Sequence, residues 1–117
     1  MLHGKDYFCD KAAFLNLADL AEARRVQAET GRVFSICYSE RLLEPACWYA
    51  NGIVRAGAIG RVLHQTILAP HASNLPTRAP WFFERRHYGG IIADLGSHQI
   101  EQCLFFAGLG EAEIVSA

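Results

Sequence analysis

The 117-residue sequence has no closely spaced cysteine pair, no excess of one charge and no long apolar run, and each absence excludes a class of protein. None of its four cysteines forms a Cys-x-x-Cys pair, which argues against a zinc ribbon or a thioredoxin-like motif. Eleven basic and 12 acidic residues are interspersed and give a formal net charge of −1. This balance indicates neither nucleic acid nor an anionic membrane as a partner.

Membrane insertion and export are not indicated either. Residues 62–77 form the longest stretch without Asp, Glu, Lys or Arg, but the stretch is rich in Gln, His, Asn and Pro and is no membrane span. No leader peptide is recognisable, so we expect a cytoplasmic protein with reduced, buried thiols. The scattered Cys and His residues leave a zinc site open as an alternative, but we predict no metal site.

The composition is that of a globular protein, with 51% hydrophobic and 20% charged residues. The first forty residues predict a strand–helix–strand unit, the building block of a parallel α/β sheet. Tyr7-Phe8-Cys9 is a short apolar run, Asn16 can cap a helix that Gly31 ends, and residues 33–39 are rich in β-branched and aromatic side chains.

The second half alternates helical and extended patterns. Helix 91–107 is predicted to follow a sharp turn at Tyr88-Gly89-Gly90. The other predicted elements are a helix from Pro45 to near Gly57, a strand over 61–70, a loop over 72–80 and a strand starting at 111. Because strands begin close to both ends, we expect a piece of a larger fold that lies at the junction of two domains.

Asp94 and His98 are the strongest local indication of chemistry. Spaced four apart on a helix, they would share a face, and a carboxylate beside an imidazole is typical of an oriented general base. The structural alternative is that Asp94 favours the positive end of a helix and that His98 is a satisfied polar group.

Lys11 is the second candidate, because it follows a predicted strand and precedes a helix. The carboxyl ends of strands in open α/β sheets are where ligands bind, and a lysine there can stabilise a developing alkoxide. From position alone, an ordinary solvated lysine is the better interpretation.

Five segments together resemble the glucose–fructose oxidoreductase / inositol dehydrogenase / MocA (Gfo/Idh/MocA) family. Residues 4–11, G-K-D-Y-F-C-D-K, resemble its GK-x-V-x-x-EKP segment, and residues 38–41, Y-S-E-R, its last nucleotide-domain strands. Residues 57–62, G-A-I-G-R-V, resemble its entry into the second domain. Residues 78–83 and 88–101 resemble its R-x-x-W … GG-x-x-x-D-x-G-x-H-x-I-D block.

The resemblance implies an NAD(P)-dependent dehydrogenase or reductase that acts on a hydroxyl or carbonyl of a sugar- or polyol-like substrate. The implied fold class is α/β: the C-terminal part of a Rossmann sheet joined to the start of an α/β domain with a large open sheet. Residues 1–42 would be the tail of the nucleotide-binding domain, and residues 43–117 the first part of the C-terminal substrate and oligomerisation domain. The implied cofactor is NAD or NADP, and a homo-oligomer is expected.

The resemblance also implies roles for individual residues. Lys11 would contact substrate and nicotinamide, Asp94 would hold the substrate, and His98 would take the hydroxyl proton. Tyr38, Arg41 and Trp81 match positions lining the cofactor–substrate cleft. We predict His71, which precedes the proline-rich loop, as a further substrate contact.

The sequence departs from the family pattern in three places, the mildest being Glu101, which stands where the family usually has Asp. No Gly-x-Gly-x-x-Gly occurs in the 117 residues, so the loop that holds the pyrophosphate is missing and we expect the chain alone to be inactive. Glu-Lys-Pro is replaced by Asp10-Lys11-Ala12, which frees the backbone that aims the lysine. The alternative function is a non-enzymatic structural or oligomerisation remnant.

Overall fold

The computed structural model describes residues 1–116, and it begins with a β–α–β unit. Strand β1 (Tyr7–Asp10) pairs in parallel with β2 (Phe34–Cys37), with Tyr7 opposite Phe34 and Asp10 opposite Cys37. Helix α1 (Leu17–Thr30) connects them. The α/β class and the strand–helix–strand order are therefore confirmed, although β2 is shorter than predicted because the helical turn α2 (Ser39–Leu42) follows it.

Local capping accounts for the bounds of α1. The Asn16 side chain accepts a hydrogen bond from the Asp19 amide at 2.9 Å, which satisfies one of the free N–H groups of the first turn. At the other end Gly31 adopts a left-handed conformation (φ 63°), and its N–H donates to the Gln27 carbonyl. Both caps are those that the sequence predicts.

The second half is mainly helical. It contains α3 (Pro45–Arg55), the short helix α4 (Arg85–Tyr88) and α5 (Ser97–Ala107), with 3-10 turns at Leu75–Thr77 and Pro80–Phe83. A π-helical turn, Ile92–Gly96, runs directly into α5. The long helix predicted over 91–107 is thus confirmed, with a change of winding near its start.

The predictions of two later strands were wrong. Residues 61–70 and 111–116 form no strand, because no strand among residues 1–116 lies beside them to complete a ladder of hydrogen bonds. The expectation of buried thiols also fails, since Cys9, Cys37, Cys47 and Cys103 are free but only partly buried.

The core of residues 1–116 is thin. Val26 and Phe82 are the buried apolar side chains, at 7% and 9% exposure, and the polar side chains of Asn51 and His98 are also buried. Trp48 is 49% exposed. Large apolar side chains lie on the surface, among them Phe8, Leu17, Leu68 and Val115. No helix within the described residues is both long and apolar enough to cross a bilayer.

Candidate functional site

Lys11 lies just beyond the carboxyl end of β1 and contacts the second half of the chain. Its ammonium group donates to the Asp94 backbone carbonyl at 2.9 Å and forms an ion pair with the Asp94 carboxylate. The two side chains are only 16% and 17% exposed, so the pair is shielded from most solvent. The interpretation of Lys11 as an ordinary solvated lysine is therefore wrong, even though Ala12 replaces the family's proline.

The π-helical turn supplies the other half of this contact. Such turns are often found at functional sites, because the local change in winding frees backbone groups from the regular ladder. The Asp94 carbonyl accepts from Lys11 and also from the Ser97 hydroxyl at 3.3 Å. The carboxylate and the carbonyl of one residue thus hold the lysine together.

His98 lies one turn further along the helix and is almost completely enclosed, with 3% exposure. The Tyr38 ring packs edge-on against it, with ring centroids 5.9 Å apart. Its Nδ1 is buried and has no hydrogen-bond partner among residues 1–116. An unpartnered buried nitrogen is unusual in proteins, where buried polar atoms are normally hydrogen-bonded.

Burial lowers the pKa of His98 below its ordinary value, because the charged imidazolium loses solvation. The Glu40 carboxylate opposes that shift of the pKa, while the nearby charge of Lys11 adds to it. Carboxylates of Asp10 and Asp94 oppose it more weakly. The net result is a neutral imidazole near pH 7, which can accept a proton.

The carboxylate expected to orient His98 is engaged elsewhere. Asp94 forms its ion pair with Lys11, and it acts on the His98 pKa only as the weakest of the named charges. The spacing of four residues does bring the two side chains into one region. The structure assigns the aspartate to the lysine rather than to the histidine.

Tyr38 packs against His98 in this cluster. Burial raises the pKa of its phenol, and the negative charge of Glu101 adds to the effect. A phenol that stays protonated can donate a hydrogen bond within the site.

A cavity of about 440 Å³ lies beside this cluster, and Asp94 is the residue of the cluster that lines its wall. His71 and Arg78 also line the cavity. His71 Nε2 lies 3.0 Å from a Glu40 oxygen, and the Gln99 amide donates to the other Glu40 oxygen, also at 3.0 Å. Glu40 therefore links His71, the predicted substrate residue, to helix α5, which carries His98.

Two predicted cofactor residues lie apart from the cluster. Arg41 forms an ion pair with Glu101 at 2.5 Å, and its guanidinium lies 4.1 Å from the Phe105 ring centroid. Trp81 is 53% exposed and contacts the ring of Phe82 edge-on. Their contacts with a cofactor stay predictions.

Sequence reasoning assigned no site role to four residues of this region, Glu40, Arg78, Arg85 and Gln99. Glu40 and Gln99 connect His71 to helix α5, and Arg85 lines the cavity. Gln99 directly follows His98, and Glu40 lies between the predicted residues Tyr38 and Arg41, so proximity in sequence was an available signal. For Arg85, within a run of charged residues, no such signal exists.

A buried neutral imidazole, a shielded lysine–aspartate pair and a neighbouring cavity thus lie together in this α/β protein, an arrangement typical of small-molecule sites. The sequence model of the GFO/IDH/MocA C-terminal domain matches residues 48–117. The chain belongs to the GFO/IDH/MocA family.

A solved structure supports the same assignment. The chain is similar to a protein from Erwinia carotovora atroseptica SCRI1043 that is described as an oxidoreductase, with 37% identity and a TM-score of 0.83. The similarity covers 97% of this chain and 34% of that protein, so the chain spans about a third of its relative's length. No curated protein matches the sequence.

Proposed function

We propose that this chain supplies the substrate side of an oxidoreductase site that transfers hydride between NAD(P) and a hydroxyl or carbonyl of a sugar- or polyol-like substrate. The observation that carries the proposal is His98, a buried imidazole whose lowered pKa leaves it neutral beside the Lys11–Asp94 pair. Membership of the family and the oxidoreductase description of the Erwinia relative support the reaction class.

Each residue of the cluster has a role in alcohol oxidation. His98 accepts the hydroxyl proton while hydride leaves the adjacent carbon. Lys11 stabilises the negative charge that develops on the oxygen, and Asp94 holds both the lysine and the substrate. His71, held by Glu40, contacts the substrate within the cavity.

A nicotinamide cofactor, when bound, supplies the hydride acceptor for this chemistry. Lys11 fits such a group, since it follows a strand whose carboxyl end is the usual ligand position in α/β sheets. Tyr38, beside His98, is the second residue that fits. Arg41 would have to leave Glu101 to reach a cofactor, and exposed Trp81 would have to be covered by it.

A chimera tests the proposal directly. This chain replaces the matching third of the Erwinia relative, and NAD(P)H formation is followed with a panel of sugars and polyols. We expect turnover, and we expect His98→Asn to lower kcat by about 10²–10⁴-fold, the usual loss on removing a general base. His64→Asn, at an exposed histidine whose ring hydrogen-bonds the Thr66 hydroxyl, is the matched control and should retain activity. A folded chimera in which both variants behave alike would remove His98 from the reaction.

The second candidate function is structural, as a surface for oligomer contacts, and one observation favours it. Many large apolar side chains are exposed on residues 1–116, and exposed apolar surface is often used for contacts between protein chains. We propose that the protein is a homo-oligomer, which sedimentation measured over a range of concentrations would test. Association without turnover in the chimera would favour this candidate over the enzyme.

We also propose a cellular compartment for the protein, the cytoplasm. Four free thiols suit a reducing environment, where disulfides do not persist. A cytoplasmic location follows from that chemistry, and fractionation of producing cells would test it.

A further inference from the structure

The cavity beside Asp94 carries more positive than negative charge. Two arginines line it, Arg78 and Arg85, and neither forms an ion pair with an acidic residue among residues 1–116. The acidic group in the same wall, Asp94, is already neutralised by Lys11. The cavity therefore presents two guanidinium groups whose charge no carboxylate of the described chain balances.

Arg78 is held in place by neutral contacts. Its Nε donates to the Ser73 carbonyl at 3.1 Å, and its guanidinium carbon lies 4.4 Å from the ring centroid of buried Phe82. Stacking on an aromatic face fixes the plane of a guanidinium without consuming its terminal N–H groups. Those groups remain available to a ligand.

The rest of the lining suits the carbon face of a small organic molecule. Apolar and aromatic side chains make up most of the wall, and about 440 Å³ lies within the range of small-molecule sites. A planar arginine fork recognises carboxylate and phosphate oxygens by paired hydrogen bonds. A neutral sugar offers no group that uses the charge.

We infer that the substrate is an acidic sugar derivative, whose carboxylate or phosphate binds Arg78 and Arg85 while its reacting hydroxyl faces the Lys11–Asp94–His98 cluster. The inference rests on the proposed function, since it takes this cavity as the substrate site. Carboxylate and phosphate share the chemistry that the arginines recognise, and the test separates them.

Calorimetric titration of the 117-residue chain with glucose, glucuronate and glucose 6-phosphate is the first experiment. We expect at least one of the two acids to bind about tenfold or more tightly than glucose, because charge-assisted hydrogen bonds are the stronger ones. The acid that binds tighter identifies the group. Arg85→Gln should weaken acid binding by about tenfold to a hundredfold and leave glucose unchanged, and Arg85→Lys should fall between.

Arg55→Gln is the matched control, because Arg55 lines a different cavity, formed with α5, and should not affect acid binding. Equal affinity for glucose and both acids, or acid binding that Arg78→Gln and Arg85→Gln leave intact, would overturn the inference.

The chimera gives a second readout that separates this inference from the proposed function. Its kcat/KM should favour an acidic sugar over its neutral counterpart, and Arg85→Gln should remove the preference. Arginine-dependent acid binding without any hydride transfer would refute the oxidoreductase and leave the acid site standing. Turnover of neutral and acidic sugars with equal kcat/KM would support the oxidoreductase and refute the acid site.

Discussion

The Lys11 ammonium group donates to both the backbone carbonyl and the carboxylate of Asp94, although the two residues are 83 positions apart in the chain. This contact joins the carboxyl end of β1 to the π-helical turn. It therefore connects the segment that resembles a nucleotide-binding domain with the segment that resembles the second domain. Its loss should affect both stability and chemistry.

Lys11→Met should destabilise the chain by about 1–3 kcal/mol, because it leaves the largely shielded Asp94 carboxylate without its cation. Urea unfolding measures the effect. Arg25→Met is the control: it breaks exposed pairs with Glu22 and Glu29 and should cost no more than about 1 kcal/mol. Lys11→Met combined with Asp94→Asn should recover part of the loss. Purely additive effects in this cycle would mean that the two side chains do not interact.

Stability should fall in acid through His98. The unfolded chain protonates this imidazole near pH 6.5, whereas burial lowers the pKa of the folded form, so below pH 6.5 the unfolded state binds more protons. The stability that the neutral ring provides is complete above pH 6.5 and is lost as the pH falls. His98→Gln should flatten this part of the curve of unfolding free energy against pH between pH 5 and 7. A curve of unchanged slope would contradict the burial of this ring.

The pH dependence of kcat/KM in the chimera should also report on His98. Alcohol oxidation needs the neutral imidazole, so kcat/KM should decline as the pH drops through the pKa of folded His98, which burial lowers below the ordinary histidine value. His98→Asn should abolish this acid limb along with most of the rate. If the variant keeps the limb, Lys11 becomes the candidate proton acceptor, and Lys11→Met should then remove it.

Gly89 and Gly90 form a matched pair for testing the turn before the π-helical segment. Both have positive φ, 77° and 93°, but a Cβ on Gly89 would overlap the Leu15 side chain and lie 2.9 Å from the Ala93 Cβ, whereas one on Gly90 meets nothing within 4 Å. Gly90→Ala should cost about 1 kcal/mol from backbone strain alone. Gly89→Ala should cost about 1–3 kcal/mol more through overpacking, measured by thermal or urea unfolding. Equal losses would mean that Leu15 moves aside freely.

Local interactions are the part of this fold that the sequence determines by itself. Asn16 and Gly31 set the ends of α1, and Gly89-Gly90 sets the turn before the long helix, because each acts through backbone groups a few residues away. The pairing of β1 with β2 also follows from sequence, since a single crossover helix joins adjacent strands.

Tertiary structure alone decided the remainder. Residues 61–70 have the composition of a strand, but a strand exists only where another one completes its hydrogen bonds, and no local pattern states whether that partner is present. The four-residue spacing of Asp94 and His98 predicted that they would act together, yet the carboxylate pairs with Lys11, which approaches from the other end of the chain. The low pKa of His98 likewise comes from packing against Tyr38 and the surrounding elements. Burial and long-range charge depend on where the whole chain closes on itself, and spacing along the sequence does not carry that information.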